Sequence, residues 1–165
     1  MRKLFIFGFV LLITVTCREK VQETSTDDTL EYVLSSDDWP QKRRVNSKVI
    51  ELLKEWPEYN ALDLSFDALY NAANKDDLAL TIDNIIEGQK LLEASDYPTS
   101  FNSPQIKSRQ KVFKTYVLKV KGDLIYRLDP EVSIHEMINA YNAYRKQMDV
   151  MVTHILDAKL ILDEE

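Results

Sequence analysis

From Ile134 onward, positions 134, 137, 141, 144, 148, 151, 155, 158 and 162 read Ile, Met, Tyr, Tyr, Met, Met, Ile, Ala and Leu. Alternating steps of three and four place all of them on one face of an α-helix, a period that no strand accommodates. A seam sustained over more than four heptads must be covered by other helices, and Ile138 and Val152 widen it into the stripe of a globular bundle. Asp129-Pro130 is a start signal for this helix, and Ser133 with Glu136 offers a second, capping-box start. Only three glycines occur in 165 residues, a scarcity that disfavours an all-β fold and leaves no glycine-rich phosphate cradle.

Three further segments supply partners for the seam. Residues 45–73 carry Val45, Val49, Leu52 and Trp56 in one stripe, which resumes after Pro57 at Leu62, Phe66, Leu69 and Ala73 about one residue out of phase. A proline lacks the backbone donor a helix interior needs, so a kink is expected there. Residues 76–95 place Leu78, Ile82, Ile85 and Leu92 on one face, with acids in the first turn and Gly88 positioned to allow a close helix crossing. Ser103 and Pro104 open the next segment, where Phe113, Val117, Val120, Leu124 and Leu128 form a helical stripe. The part "TYVLKVKGDLIYRL" also alternates as a hairpin turning at Lys121-Gly122-Asp123, but a lone hairpin is poorly stable and the other helices need a fourth wall. The expectation is an all-α, up-down-up-down four-helix bundle over residues 40–165.

The first 39 residues have a different character. Met1-Arg2-Lys3 precedes an apolar run from Leu4 to Val15, too short for the roughly 20 residues of a bilayer span, and the chain turns polar at Arg18-Glu19-Lys20. Between them, Thr14-Val15-Thr16-Cys17 holds the only cysteine. An exported chain with one cysteine cannot close an internal disulfide, and acylation of the thiol removes the difficulty. The segment resembles a bacterial lipoprotein signal with a loose lipobox of the Bacteroidota kind, Thr14 standing where an aliphatic residue is usual. That resemblance covers about 20 residues. It implies a signal peptide over 1–16, removed to leave Cys17 as a lipid-bearing N-terminus, followed by an acidic flexible tether over 17–39. Loss of Arg2 and Lys3 with no acid moves the formal charge from −6 to −8. Within the tether the island "LEYVL", Leu30 to Leu34, is expected to dock on the domain.

Candidates for chemistry are few. His135 and His154 lie 19 positions apart on one helix, roughly 28 Å at about 1.5 Å per residue, so they cannot share a metal ion within one subunit. Met148, Met151 and His154 are the nearest approach to a soft-metal or haem-ligand set, although methionines on a bundle seam are more often gap-fillers. Neither E-x-x-H nor C-x-x-C-H nor G-x-S-x-G occurs, and no cofactor, metal or catalytic residue is expected. Tyr97 and Phe101 lie in the polar loop "SDYPTSFNSP", where they either fold back over the bundle end or anchor a partner. Tyr141 and Tyr144 are expected in the core, with hydroxyls reaching polar partners.

Charge is distributed unevenly. The segment 76–95 is acidic, whereas Lys107, Arg109, Lys111, Lys114, Lys119 and Lys121 make the next one basic. Attraction between neighbouring helices is the simpler explanation. The functional alternative is a basic face for an acidic envelope polymer or lipid headgroups, with Lys107, Lys111 and Lys114 as contacts beside Tyr97 and Phe101. Lys42-Arg43-Arg44 reads as a solvated helix start. The acidic balance disfavours nucleic acid. The resulting expectation is a lipid-anchored protein of the bacterial envelope, of the outer rather than the inner membrane, similar to small helical lipoproteins of Bacteroidota. It would act as a non-catalytic binding or scaffolding module on an envelope protein or polymer. The alternatives are a periplasmic carrier or sensor of metal, haem or a small ligand, and an envelope enzyme.

Overall fold

Most of the helices start where a side chain replaces the backbone partners that the first turn lacks. A computed structural model describes residues 34–163, with side chains through residue 154, and among these it contains helices and no strand. Asn46 accepts from the Val49 N–H at 2.9 Å and opens α1, Ser47–Lys54. Pro57 opens α2, Pro57–Asp67, where its missing N–H costs nothing, and a 3-10 turn, Ala68–Asn71, follows. Asn74 caps α3, Lys75–Ala94, through the Asp77 N–H at 2.9 Å. Ser103 caps α4, Pro104–Ile125, through the Ile106 N–H. Asp129 accepts from the Glu131 N–H at 3.0 Å at the start of α5, Glu131–Asp163.

The segment expected as one kinked helix is therefore two helices and a 3-10 turn. The tighter turn rotates the last position, so Ala72 rather than Ala73 is buried. Residues 115–125 are helical, which excludes the hairpin, and α4 stops at Ile125, leaving Leu128 exposed beyond the stripe. Ser133 and Glu136 do not form a capping box: Ser133 donates to Asp123, and Glu136 pairs with Lys119.

The core is the meeting of the expected stripes. Val49, Trp56, Leu62, Phe66, Leu69, Leu78, Ile82, Ile85, Leu92, Phe113, Val117, Val120, Ile134, Met137, Ile138, Tyr141, Tyr144, Met148 and Val152 are all buried. Consecutive helices pack on one another from α2 to α5. The backbones of α2 and α5 stay apart, and large rings fill the gap between them: Phe66 stacks on Tyr141 at 4.0 Å, and Tyr59 meets Tyr144 at 6.2 Å. Where α2 and α3 cross, a Cβ on Gly88 would lie 3.3 Å from the Leu62 Cα, so this glycine sets their separation.

Packing begins before residue 40. Leu34 and Trp39 are buried, Trp39 donates to Glu131 at 3.0 Å, and Ser36 donates to the Tyr70 carbonyl. Of the island only Leu34 is described. Residues 1–33, including Cys17 and the run expected to be a signal, lie outside the described residues, as do the side chains of Ile155, Ala158 and Leu162. No helix among the described residues is long and apolar enough to cross a membrane.

Candidate functional site

Two polar constellations stand out, one buried and one open. The buried one joins α2 to α5. Asp63 accepts from Tyr141 and from Arg145, both at 2.6 Å, and Arg145 also donates to the Tyr59 hydroxyl at 2.8 Å and to the Arg43 carbonyl at 2.7 Å. Burial works against the charge on Arg145, and Tyr59, Tyr141 and Asp63 outweigh it, so its pKa rises. Burial pushes the Tyr59 hydroxyl up to about 12 and raises those of Tyr141 and Tyr144 well above the ordinary tyrosine value. Tyr144 differs from the other two in having no hydrogen-bond partner for its hydroxyl among the described residues.

The same face of α5 grips the segment of chain that leads into α1. Asn142, Arg145 and Asp149, spaced by three and four, bind the backbone of Gln41, Arg43 and Asn46. Lys42 pairs with Asp63 and Asp67, and Arg43 pairs with Asp149. The basic run is therefore a docked strap rather than a solvated helix start. Its signal was the polar i, i+3, i+7 row beside the apolar seam of the helix, which resembles an ordinary solvated face until the partner backbone is known. With its donors and acceptors mutually satisfied, this cluster serves architecture.

The open constellation lies at the α3–α4 end. Trp56 donates to Ser95 at 2.9 Å and packs against Tyr97 at 4.9 Å and Phe101 at 6.0 Å, which seats the loop between the helices. Phe101 is fully buried, so it folds back and offers no surface to a partner. Tyr97 is half-buried, donates to Gln110 and lies 4.9 Å beneath the Lys107 ammonium. Gln110 in turn donates to the buried Gln89, whose Nε2 finds no partner among the described residues. Burial raises the Tyr97 pKa, partly offset by the bond to Gln110.

Two clefts of about 440 Å³ open here. Glu93, Ser95, Tyr97 and Gln110 line one; Asn102, Ser103, Pro104 and Ser108 line the other; Lys107 and Lys111 line both. The two lysines, one helical turn apart, form the ridge between the clefts. Other lysines of α4 are already engaged: Lys114 with Glu93 at 2.6 Å, Lys119 with Glu136, and Lys121 with Asp83 at 2.7 Å. Interhelical attraction thus accounts for the lower and middle parts of the basic face, and Lys114 belongs to it. Neither Lys107 nor Lys111 has an acidic partner among the described residues.

Of the methionine–histidine set, Met148 is fully buried, Met151 half-buried and His154 exposed. His135 contacts Glu131 at 3.1 Å, one turn earlier on the same helix. Among the described residues no group of three His, Cys, Asp or Glu side chains is placed to hold a metal. Compared with protein-family models, with curated proteins and with solved structures, the chain matches none of them.

Proposed function

We propose that the chain is an envelope lipoprotein, anchored through an acylated Cys17, whose helical domain is a non-catalytic binding module for an acidic partner. In this reading α2 to α5 form an up-down-up-down four-helix bundle, with α1 and the 41–46 strap as additions to it. The anchor rests on the lone cysteine placed after a short apolar run and before a polar stretch. The binding site is the ridge of Lys107 and Lys111.

One observation carries the assignment: these two ammonium groups stand over paired clefts and form no ion pair among the described residues, on a helix whose other lysines are paired with neighbours, Lys114 with the cleft-lining Glu93 among them. A carboxylate or phosphate entering either cleft would meet a lysine together with polar groups from Ser95, Gln110 or Ser108. Tyr97 supplies a flat ring at the cleft wall.

Crosslinking in cells from a photoreactive group at Ser108 tests this. The double change Lys107→Glu and Lys111→Glu should reduce partner capture at least tenfold, whereas Lys48→Glu, a charge reversal on α1, should leave it unchanged. Equal loss from both would show a general effect of charge and remove the cleft assignment. Mass spectrometry of the mature N-terminus tests the anchor separately.

A further inference from the structure

The turn between α4 and α5 exposes four large apolar side chains within eight residues: Tyr126 at 77%, Val132 at 68%, Ile125 at 63% and Leu128 at 55%. Elsewhere on the described surface, exposed apolar side chains are spaced along the helices, as any protein surface tolerates. Here they crowd one corner, and the backbone holds them out. Arg127 has φ 55°, a left-handed helix stop in which the Arg127 N–H donates to Leu124 and the Leu128 N–H to Asp123. Glycine is the usual residue in that conformation. In this chain the position instead carries a cation, between a tyrosine and a leucine.

The acids nearby are occupied by the protein itself. Asp123 accepts from Ser133, Asp129 from the Glu131 N–H, and Glu131 from Trp39 and His135. Tyrosine with apolar neighbours and a long cationic side chain is the combination that settles at a membrane–water interface, the rings and alkyl groups below the headgroups and the charge among them.

The course of the chain brings its Cys17 end within reach of this corner. Trp39 is buried at the same end, where it bonds Glu131, the residue before Val132. Cys17 lies 22 residues before Trp39, at most about 80 Å of fully extended chain. The lysine ridge lies towards the other end of α4, about 21–27 Å from Ile125 at about 1.5 Å per residue.

We infer that the α4–α5 corner, formed by Ile125, Tyr126, Leu128 and Val132, is a second membrane contact that rests in the interface of the bilayer holding Cys17. This inference rests on the anchor reading. The acyl chains supply retention, and the corner supplies orientation: the domain stands on it, with the Lys107–Lys111 clefts turned away from the lipid towards an acidic partner. A tether alone would leave the clefts facing all directions.

The test uses the acylated mature protein in vesicles of phosphatidylethanolamine and phosphatidylglycerol, with tryptophan as a depth reporter. The native Trp39 and Trp56 are buried and provide a constant background. Tyr126→Trp should shift its emission to the blue and be quenched at least twofold by lipids brominated near the headgroup. Lys107→Trp should show neither effect. If the acylated protein floats with the vesicles while the two reporters are quenched equally, the corner is not a membrane contact and the anchor survives. If the mature N-terminus proves unacylated, the anchor and the inference fall together. A reporter shielded from both water and lipid, in a protein that sediments as a dimer until Val132→Asp is introduced, would assign the corner to a second copy and overturn the inference.

Discussion

Two tyrosines one helical turn apart, Tyr141 and Tyr144, are both fully buried and have opposite energetics. The Tyr141 hydroxyl donates to Asp63, whereas that of Tyr144 is unpaired among the described residues. A buried hydroxyl left without a partner costs about 1–3 kcal/mol, and a charge-assisted hydrogen bond contributes about as much. Tyr141→Phe should therefore lower the unfolding free energy by about 1.5–3 kcal/mol, and Tyr144→Phe should leave it unchanged or raise it by about 1 kcal/mol. Chemical denaturation of the two variants side by side checks the contrast. The sequence placed both rings on the core seam with hydroxyls reaching partners. It could not distinguish them, because the partner of Tyr141 comes from α2, 78 positions away.

At the scale of the element, local chemistry and close approach make separate demands. Gly88 lies within α3, where alanine would favour the helix by up to about 1 kcal/mol, but the space beside it belongs to the Leu62 backbone, which cannot swing aside. Gly88→Val should destabilise the protein by about 1–3 kcal/mol through overpacking, measured as a fall in the urea midpoint with an unchanged slope. At the end of α4 the demand is reversed. Arg127 holds a left-handed conformation that glycine adopts without cost, so Arg127→Gly should stabilise by about 0.5–1 kcal/mol. If the α4–α5 corner contacts lipid, the same substitution should weaken orientation on vesicles while strengthening the fold. Capping by Asn46, Asn74 and Ser103 obeys local rules, and the start at Ser103-Pro104 was legible in sequence, whereas Pro57 read as a kink and is a helix start. The end at Ile125 was not, because no glycine or proline marks it.

For the whole molecule, the three tyrosines buried between α2 and α5 make stability depend on alkaline pH. Tyr59 keeps its proton in the folded state up to about 12, and Tyr141 and Tyr144 keep theirs well above the ordinary tyrosine range, because burial disfavours the phenolate. The unfolded chain releases each proton near 10. Below about pH 9 both states are protonated and this burial adds no pH dependence. From about pH 10 to 12 the unfolded state gains by ionising, so stability should fall by about 1.4 kcal/mol per pH unit for each such residue. Phenolate absorbance should accordingly rise in two stages, exposed tyrosines first and the buried three only with global unfolding. Periodicity determined that the described residues are helical and, for the most part, which faces are buried, and capping residues and prolines marked several of the helix starts, since these depend on residues three or four apart. The strap on α5, the buried Asp63–Arg145 cluster and the lysine ridge were decided only by tertiary structure. Each depends on which distant acid or backbone group meets a given polar side chain. A charged residue reads alike in sequence whether it faces solvent, a partner helix or an open cleft, and only the packed arrangement separates Lys114, paired with Glu93, from Lys107 and Lys111.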